Sequence, residues 1–298
     1  MAKYRIKMTI GYGKGENIFK PGSTEDVPEI ADNFDKMQKR FNLSADFISK
    51  VNQAGFKRPT PVQMQTLPIV FSGRNAIILA ETGSGKSLAF LTPLLHLHKR
   101  GDGLKALVVA PTRELAIQLY KECLMFSKQS KTNDEGSARV RILRKALTPK
   151  TEKQFEEFMR SSEILISTPL KLANLMKQFQ FRDVKHLIVD EADKMFEMGF
   201  LEQIETVFTT LKDYDVSKYL FSATMQTDIE QVVQKHMDGK QPILKVQIGV
   251  RNTTANSVKQ RLVYCGNEDG KLATLRQEMA EGYEPPLLIF VQSKDRAK

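Results

Sequence analysis

Four apolar residues, Ala76-Ile77-Ile78-Leu79, run without interruption into Ala80-Glu81-Thr82-Gly83-Ser84-Gly85-Lys86-Ser87, and a helix-like segment follows. A short unbroken apolar run marks a strand covered on both faces. A strand that turns through glycines into a helix confines the chain to folds built from strand–helix units. The same pattern recurs at Ala106-Leu107-Val108-Val109, Ile164-Leu165-Ile166, Leu187-Ile188-Val189 and Tyr219-Leu220-Phe221, with helical candidates over residues 87–99, 114–128 and 151–161. Strand–helix alternation of this kind predicts an α/β fold with a doubly wound parallel sheet.

The glycine segment has the chemistry of an oxyanion cradle. Glycines let backbone N–H groups curl around a phosphate, the following helix aims its positive end at it, Lys86 supplies a point charge and Ser87 a ligand for Mg²⁺. Thr82, Gly83, Ser84, Gly85, Lys86 and Ser87 are therefore the candidate phosphate-binding residues. Gly-Ser-Gly alone reads equally well as a tight turn, and the usual first glycine of such a loop is replaced by Ala80. Farther on, the run His186-Leu187-Ile188-Val189 ends in Asp190-Glu191-Ala192-Asp193. Acids at a strand tip are placed to serve a metal–nucleotide: Asp190 as Mg²⁺ holder, Glu191 to polarise a water attacking the γ-phosphorus. The same acids also suit a helix start, and for Asp193 both readings hold.

The chain has 298 residues, 45 Lys and Arg against 35 Asp and Glu, and a net charge of +10, which fits a polyanionic partner. Cys123 and Cys265 stand far apart with no Cys or His at metal-ligand spacing, so neither a disulfide framework nor a zinc site is expected. No apolar run is long enough for a membrane span, and the first residues do not form a secretion signal. Cytosol and nucleus remain. Residues from about Tyr4 to Asp35 are polar and Gly-rich and read as an extended arm. Late apolar runs at Lys245-Val246-Gln247-Ile248, 260–264 and 287–291 read as three strands opening a second domain. The expected division is an N-terminal extension over 1–33, a nucleotide-binding domain over 34–245, and a linker with the truncated start of another domain over 246–298.

Asp190-Glu191-Ala192-Asp193, taken with the glycine loop, resembles the signature of the DEAD-box helicase family, and further segments are similar to that family in the right order. Gly55-Phe56-Lys57-Arg58-Pro59-Thr60-Pro61-Val62-Gln63 resembles its adenine-reading Q motif, with Phe34 as the upstream aromatic that stacks on the base. Pro111-Thr112-Arg113-Glu114-Leu115-Ala116 resembles motif Ia, and Ser167-Thr168-Pro169-Leu170-Lys171-Leu172 resembles motif Ib with Leu170 and Lys171 where Gly and Arg are usual. The usual Gly-Gly pair is absent from residues 140–147. Ser222-Ala223-Thr224 resembles motif III, and Leu288-Ile289-Phe290-Val291-Gln292-Ser293 resembles motif IV.

The resemblance implies a RecA-like ATP-binding domain followed by the beginning of a second one, and RNA-stimulated ATP hydrolysis. It implies base contacts from Phe34, Phe56, Pro61 and Gln63, catalysis by Lys86, Asp190 and Glu191, and Mg²⁺ held by Ser87 and Asp190. RNA contacts fall to Pro111, Thr112, Arg113, Thr168, Pro169 and Lys171, with Asp193, Ser222 and Thr224 coupling nucleotide to domain closure. The lengthened Phe34-to-Gly55 spacing, the Thr-Pro-Leu-Lys variant and Pro285-Pro286 resemble the branch acting in eukaryotic small-subunit ribosomal RNA processing. That branch implies pre-ribosomal RNA and assembly proteins as partners, a monomer, no membrane, and a nuclear, nucleolar location. The other readings are an RNA clamp or scaffold in a different RNA process, and a P-loop ATPase that does not act on RNA.

Overall fold

The computed structural model describes residues 6–11, 19–20, 28–127, 138–143, 151–225, 227–237, 243–249, 259 and 261–297. The chain divides into two units, 1–251 and 252–298.

The first unit is built on one nine-stranded sheet. In chain order its strands are β1 (Ile6–Gly11), β2 (Phe19–Lys20), β3 (Ala76–Leu79), β4 (Ala106–Val109), β5 (Val140–Ile142), β6 (Ile164–Ser167), β7 (His186–Val189), β8 (Ser217–Ser222) and β9 (Ile243–Ile248). In space they run β2-β1-β9-β3-β8-β7-β4-β6-β5. Strands β9 through β5 are parallel, as crossover helices require. The helices are α1 (Phe34–Phe41), α2 (Ala45–Gln53), α3 (Pro61–Phe71), α4 (Lys86–Leu97), α5 (Arg113–Phe126), α6 (Glu152–Arg160), α7 (Pro169–Met176), α8 (Ala192–Glu197), α9 (Leu201–Thr210) and α10 (Thr227–His236).

The apolar runs are unbroken because both faces of the sheet are covered, and successive side chains alternate between two cores. Ala76, Ile78, Ala106, Val108, Ile164, Ile166, Ile188, Tyr219 and Phe221 enter the core shared with α1 to α5. Ile77, Leu79, Leu107, Val109, Leu165, Leu187, Val189 and Leu220 enter the one shared with α6 to α10. The expected helices lie within two residues of those observed. Their starts are marked by hydroxyl caps: Thr112 accepts from Leu115 N and Thr151 from Gln154 N.

Two expectations are corrected. The segment read as an extended arm supplies β1, which pairs antiparallel with β9 over six residues, from Ile6↔Ile248 to Gly11↔Ile243. Ile6, Met8 and Ile10 alternate with Lys7 and Thr9, a period of two masked by the surrounding glycines and charges. The run at 245–248, read as opening the second domain, is the end of β9. It pairs in parallel with β3 and buries Ile243, Leu244 and Val246 in the first unit. The division therefore falls after Arg251 rather than at 245.

The second unit contains α11 (Glu268–Ala280), capped by Asn267, whose side chain accepts from Gly270 N. The expected strands at 260–264 and 287–291 form no ladder among the described residues. A strand exists only with a pairing partner, and here Leu262, Tyr264, Leu288 and Phe290 are exposed.

Candidate functional site

Parallel pairing brings the C-terminal ends of five strands to one sheet edge, the usual ligand edge of open α/β sheets. The register sets Leu79 beside Ser222, Leu220 beside Val189, and Val109 beside both Val189 and Ser167. Three further backbone bonds extend the ladder into the loops: Ala80 N to Ser222 O (3.0 Å), Asp190 N to Val109 O (2.9 Å) and Ala110 N to Ser167 O (2.9 Å). The segments beginning at residues 80, 111, 168, 190 and 223, scattered through the sequence, thus emerge along one rim.

The loop after β3 is held open by Gly83 (φ +76°) and Gly85 (φ +93°). At Gly85 a Cβ would also lie 2.7 Å from Gln63 Nε2, so no other residue fits without displacement. Ala80 is not among the described residues with positive φ, which explains why alanine is accepted where glycine is usual. Thr82 and Gly83 are exposed, and Ser84, Gly85 and Ser87 are half-buried. Lys86 is buried, and its amine donates to Ala80 O (2.7 Å) and Glu81 O (3.0 Å). Burial lowers its pKa; Asp190, Glu191 and Asp193 act in the opposite direction. One ammonium and three carboxylates from β3–α4 and β7–α8 therefore share one electrostatic site.

Asp190 is buried, and its pKa is pushed up to about 7 chiefly by burial, with Lys86 opposing. A buried carboxylate and a half-buried serine hydroxyl are the hard oxygen donors a divalent cation takes, so Asp190 and Ser87 are chemically suited to hold Mg²⁺. Glu191 has left-handed backbone (φ 52°), which costs a non-glycine residue roughly 1 to 2 kcal/mol. It is the N-cap of α8 without a side-chain cap bond, and its carboxylate pairs with Lys194 at 2.7 Å. Asp190 Oδ1 accepts from Glu191 N (3.0 Å) and Asp193 Oδ1 from Lys194 N (3.1 Å), so these two acids also serve the start of α8, as both readings of Asp193 allow. Asp193 Oδ2 accepts from Ala223 N (3.1 Å), Thr224 N (3.1 Å) and Thr224 Oγ1 (3.3 Å). That ties the segment after β7 to the one after β8. Ser222, expected to share this role, does not: its hydroxyl is buried without a partner, because Ser222 is still in the strand and only the turn beyond faces Asp193.

On the other flank, Pro61 opens α3 and the amide of Gln63 is engaged at both its oxygen and its nitrogen. Its Oε1 accepts from Thr60 N (3.0 Å) and its Nε2 donates to Gly85 O (3.2 Å). The residue expected to read a base edge also joins α3 to the phosphate loop. Phe34, expected as the stacking face, is instead packed in the core with α1, an amphipathic helix whose first turn needs an apolar anchor. Phe56 is the exposed aromatic in this stretch.

Of the RNA candidates, Arg113 is exposed and Thr112 caps α5, while Pro111 and Pro169 are buried supports. Thr168 is the N-cap of α7 with no side-chain cap bond. Lys171 is half-buried and its amine donates to Leu143 O (3.3 Å). Residues 144–147, part of the stretch lacking Gly-Gly, lie outside the described residues. Residues missed from the sequence are Lys194 and Thr60. Lys194 carries a faint signal, a cation three residues after an acid on a helix; Thr60 is placed only by the approach of α3 to the loop.

The family model of DEAD/DEAH box helicases matches residues 60–232. DEAD-box ATP-dependent RNA helicase 57 of Oryza sativa subsp. japonica is 38% identical over 280 residues, covering 93% of this chain and 49% of that protein. ATP-dependent RNA helicase ROK1 of Saccharomyces cerevisiae is 35% identical over 279 residues, covering 92% and 49%. The chain spans about half the length of these curated relatives. Among solved structures, the yeast DEAD-box splicing factor Prp28 superposes with a TM-score of 0.68 at 26% identity, covering 99% of this chain and 65% of that one. With the match spanning both the glycine loop and Asp190-Glu191-Ala192-Asp193, the chain belongs to the DEAD/DEAH box helicase family.

Proposed function

We propose that this chain supplies the ATP-binding part of an ATP-dependent RNA helicase. The observation that carries the reading is the meeting of Lys86 with Asp190, Glu191 and Asp193 at one sheet edge. Lys86 leaves the Ala80 and Glu81 carbonyls for the nucleotide's phosphates, the loop amides around Gly83 and Gly85 hold the same oxygens, and Glu191 orients the attacking water. Ser87 and Asp190 would hold Mg²⁺, which when bound would offset phosphate charge. Asp193 passes the state of the site to Ala223 and Thr224. RNA lies along Thr112, Arg113, Thr168 and Lys171, bound through phosphates and hence tolerant of sequence.

Titration with a fluorescent ATP analogue tests the core of this: the chain binds it, and Lys86→Ala weakens binding about ten-fold or more through loss of a charge-assisted contact. Unchanged affinity in that variant would refute the site. Single-stranded RNA binding should fall steeply between low and moderate salt. ATP turnover by residues 1–298 alone should be slow, because transition-state charge in phosphoryl transfer calls for arginines that the resemblance assigns to a complete second domain. Robust RNA-stimulated turnover by this chain would overturn that expectation. The segments resembling the small-subunit branch support pre-ribosomal RNA and its assembly proteins as partners and a nucleolar site of action, with the protein acting as a monomer. Crosslinking in cells that recovers no ribosomal precursor would favour the reading as a clamp in another RNA process.

A further inference from the structure

Each acid of the site has a different tie. Asp193 is held by three hydrogen bonds from residues after β8, and Asp190 is buried beside Lys86. Glu191 alone is met by a side-chain cation, Lys194, at 2.7 Å. Its left-handed backbone turns the residue toward the start of α8, and Lys194 lies three positions on, within reach on the same helix face. The ammonium of Lys194 is not merely a surface charge. It lowers the pKa of Lys86, and Asp190 and Asp193 as well as Glu191 raise its own. Its charge therefore reaches the site although half of the side chain is in solvent.

We propose that Lys194 is a positioning residue that raises the affinity for ATP relative to that for ADP by holding Glu191 and offsetting its charge where a third phosphate would lie. The proposal rests on the reading of this edge as an ATP site. ATP differs from ADP by one phosphate group, and with the shared phosphates in the glycine loop that group would fall on the side of the acids. An unanswered Glu191 repels that group and leaves the shared part of the two nucleotides little affected. The Lys194 end of the pair is half in solvent, which limits what the pair adds to stability. A purely structural pair, serving only to start α8, would move both affinities together or neither.

The test is equilibrium titration of the 298-residue chain with ADP and a non-hydrolysable ATP analogue in the presence of Mg²⁺, with melting temperatures as a folding check. Lys194→Met should weaken the ATP analogue about 3- to 5-fold and leave ADP within about 1.5-fold, the scale of one half-exposed ion pair. Lys194→Arg should restore the preference. In a Glu191→Gln background, Lys194→Met should have no further effect, since the charge being offset is gone. Equal losses for both nucleotides, or the same loss in the Glu191→Gln background, would overturn the proposal. A wild-type chain that binds neither nucleotide would instead refute the ATP site on which it rests.

Discussion

Gly85 carries two constraints at once, a φ of +93° and a Cβ position 2.7 Å from Gln63 Nε2. Gly85→Ala should therefore cost about 1 to 3 kcal/mol through backbone strain and loss of the Gln63 strut. A lowered melting temperature together with weakened ATP binding would bear this out, and an unaltered protein would contradict it. At Asp193, removal of the carboxylate takes the acceptor from four donors, Lys194 N, Ala223 N, Thr224 N and Thr224 Oγ1. Asp193→Ala should destabilise the fold by about 2 kcal/mol in chemical denaturation, whereas Ser222→Ala, which deletes an unpartnered hydroxyl, should cost less. The glycine loop with Lys86 and the acids at the tip of β7 were legible in the sequence because phosphate chemistry calls for given residue types at fixed local spacing. The engagement of Gln63 with Gly85 and the burial of Phe34 were not, since each depends on where another helix packs.

The element least visible in the sequence is β1. It lies along β9, which without it would expose the outer hydrogen-bonding groups of an edge strand. Deletion of residues 1–20 should lower the melting temperature and promote aggregation at concentrations where the longer chain stays dispersed, as light scattering would register. No change in either would show that β1 contributes little. Parallel strands β3, β4, β6, β7 and β8 were legible because residues buried on both faces form unbroken apolar runs. Strand β9 was legible as a strand and misassigned to a domain, because a strand's own residues do not say which sheet it joins. The exposed runs near 262 and 288 make the same point: apolarity suits a strand, and a partner makes one.

Across the whole first unit, the end of α4 meets the start of β7 at His98 and His186, whose rings lie 5.1 Å apart. Burial holds both pKa values down at about 4. Asp102 and Glu163 pull His98 up while Lys105 pushes it down, and His98 and Lys185 push His186 lower. Unfolded, both return to the ordinary value of about 6.5. Between those values the unfolded chain binds protons that the folded chain refuses, so the histidines' contribution is full above pH 6.5 and is lost as the pH drops toward 4, while Asp190, raised to about 7, acts in the opposite direction over the same range. The loss is on the order of 3 kcal/mol per histidine. Denaturation across that range should show wild-type stability rising more with pH than that of a His98→Gln, His186→Gln double variant, in which Asp190 acts without the histidines; identical slopes would contradict the assignment. The sequence by itself determined the strand–helix alternation, the phosphate loop and the acidic strand tip, because hydrophobic period and site chemistry are local properties. Only the tertiary structure decided that residues 6–11 close the sheet beside β9, that Gln63 braces Gly85 and that Asp193 bonds to Thr224. Those partners are distant along the chain, and packing alone brings them together.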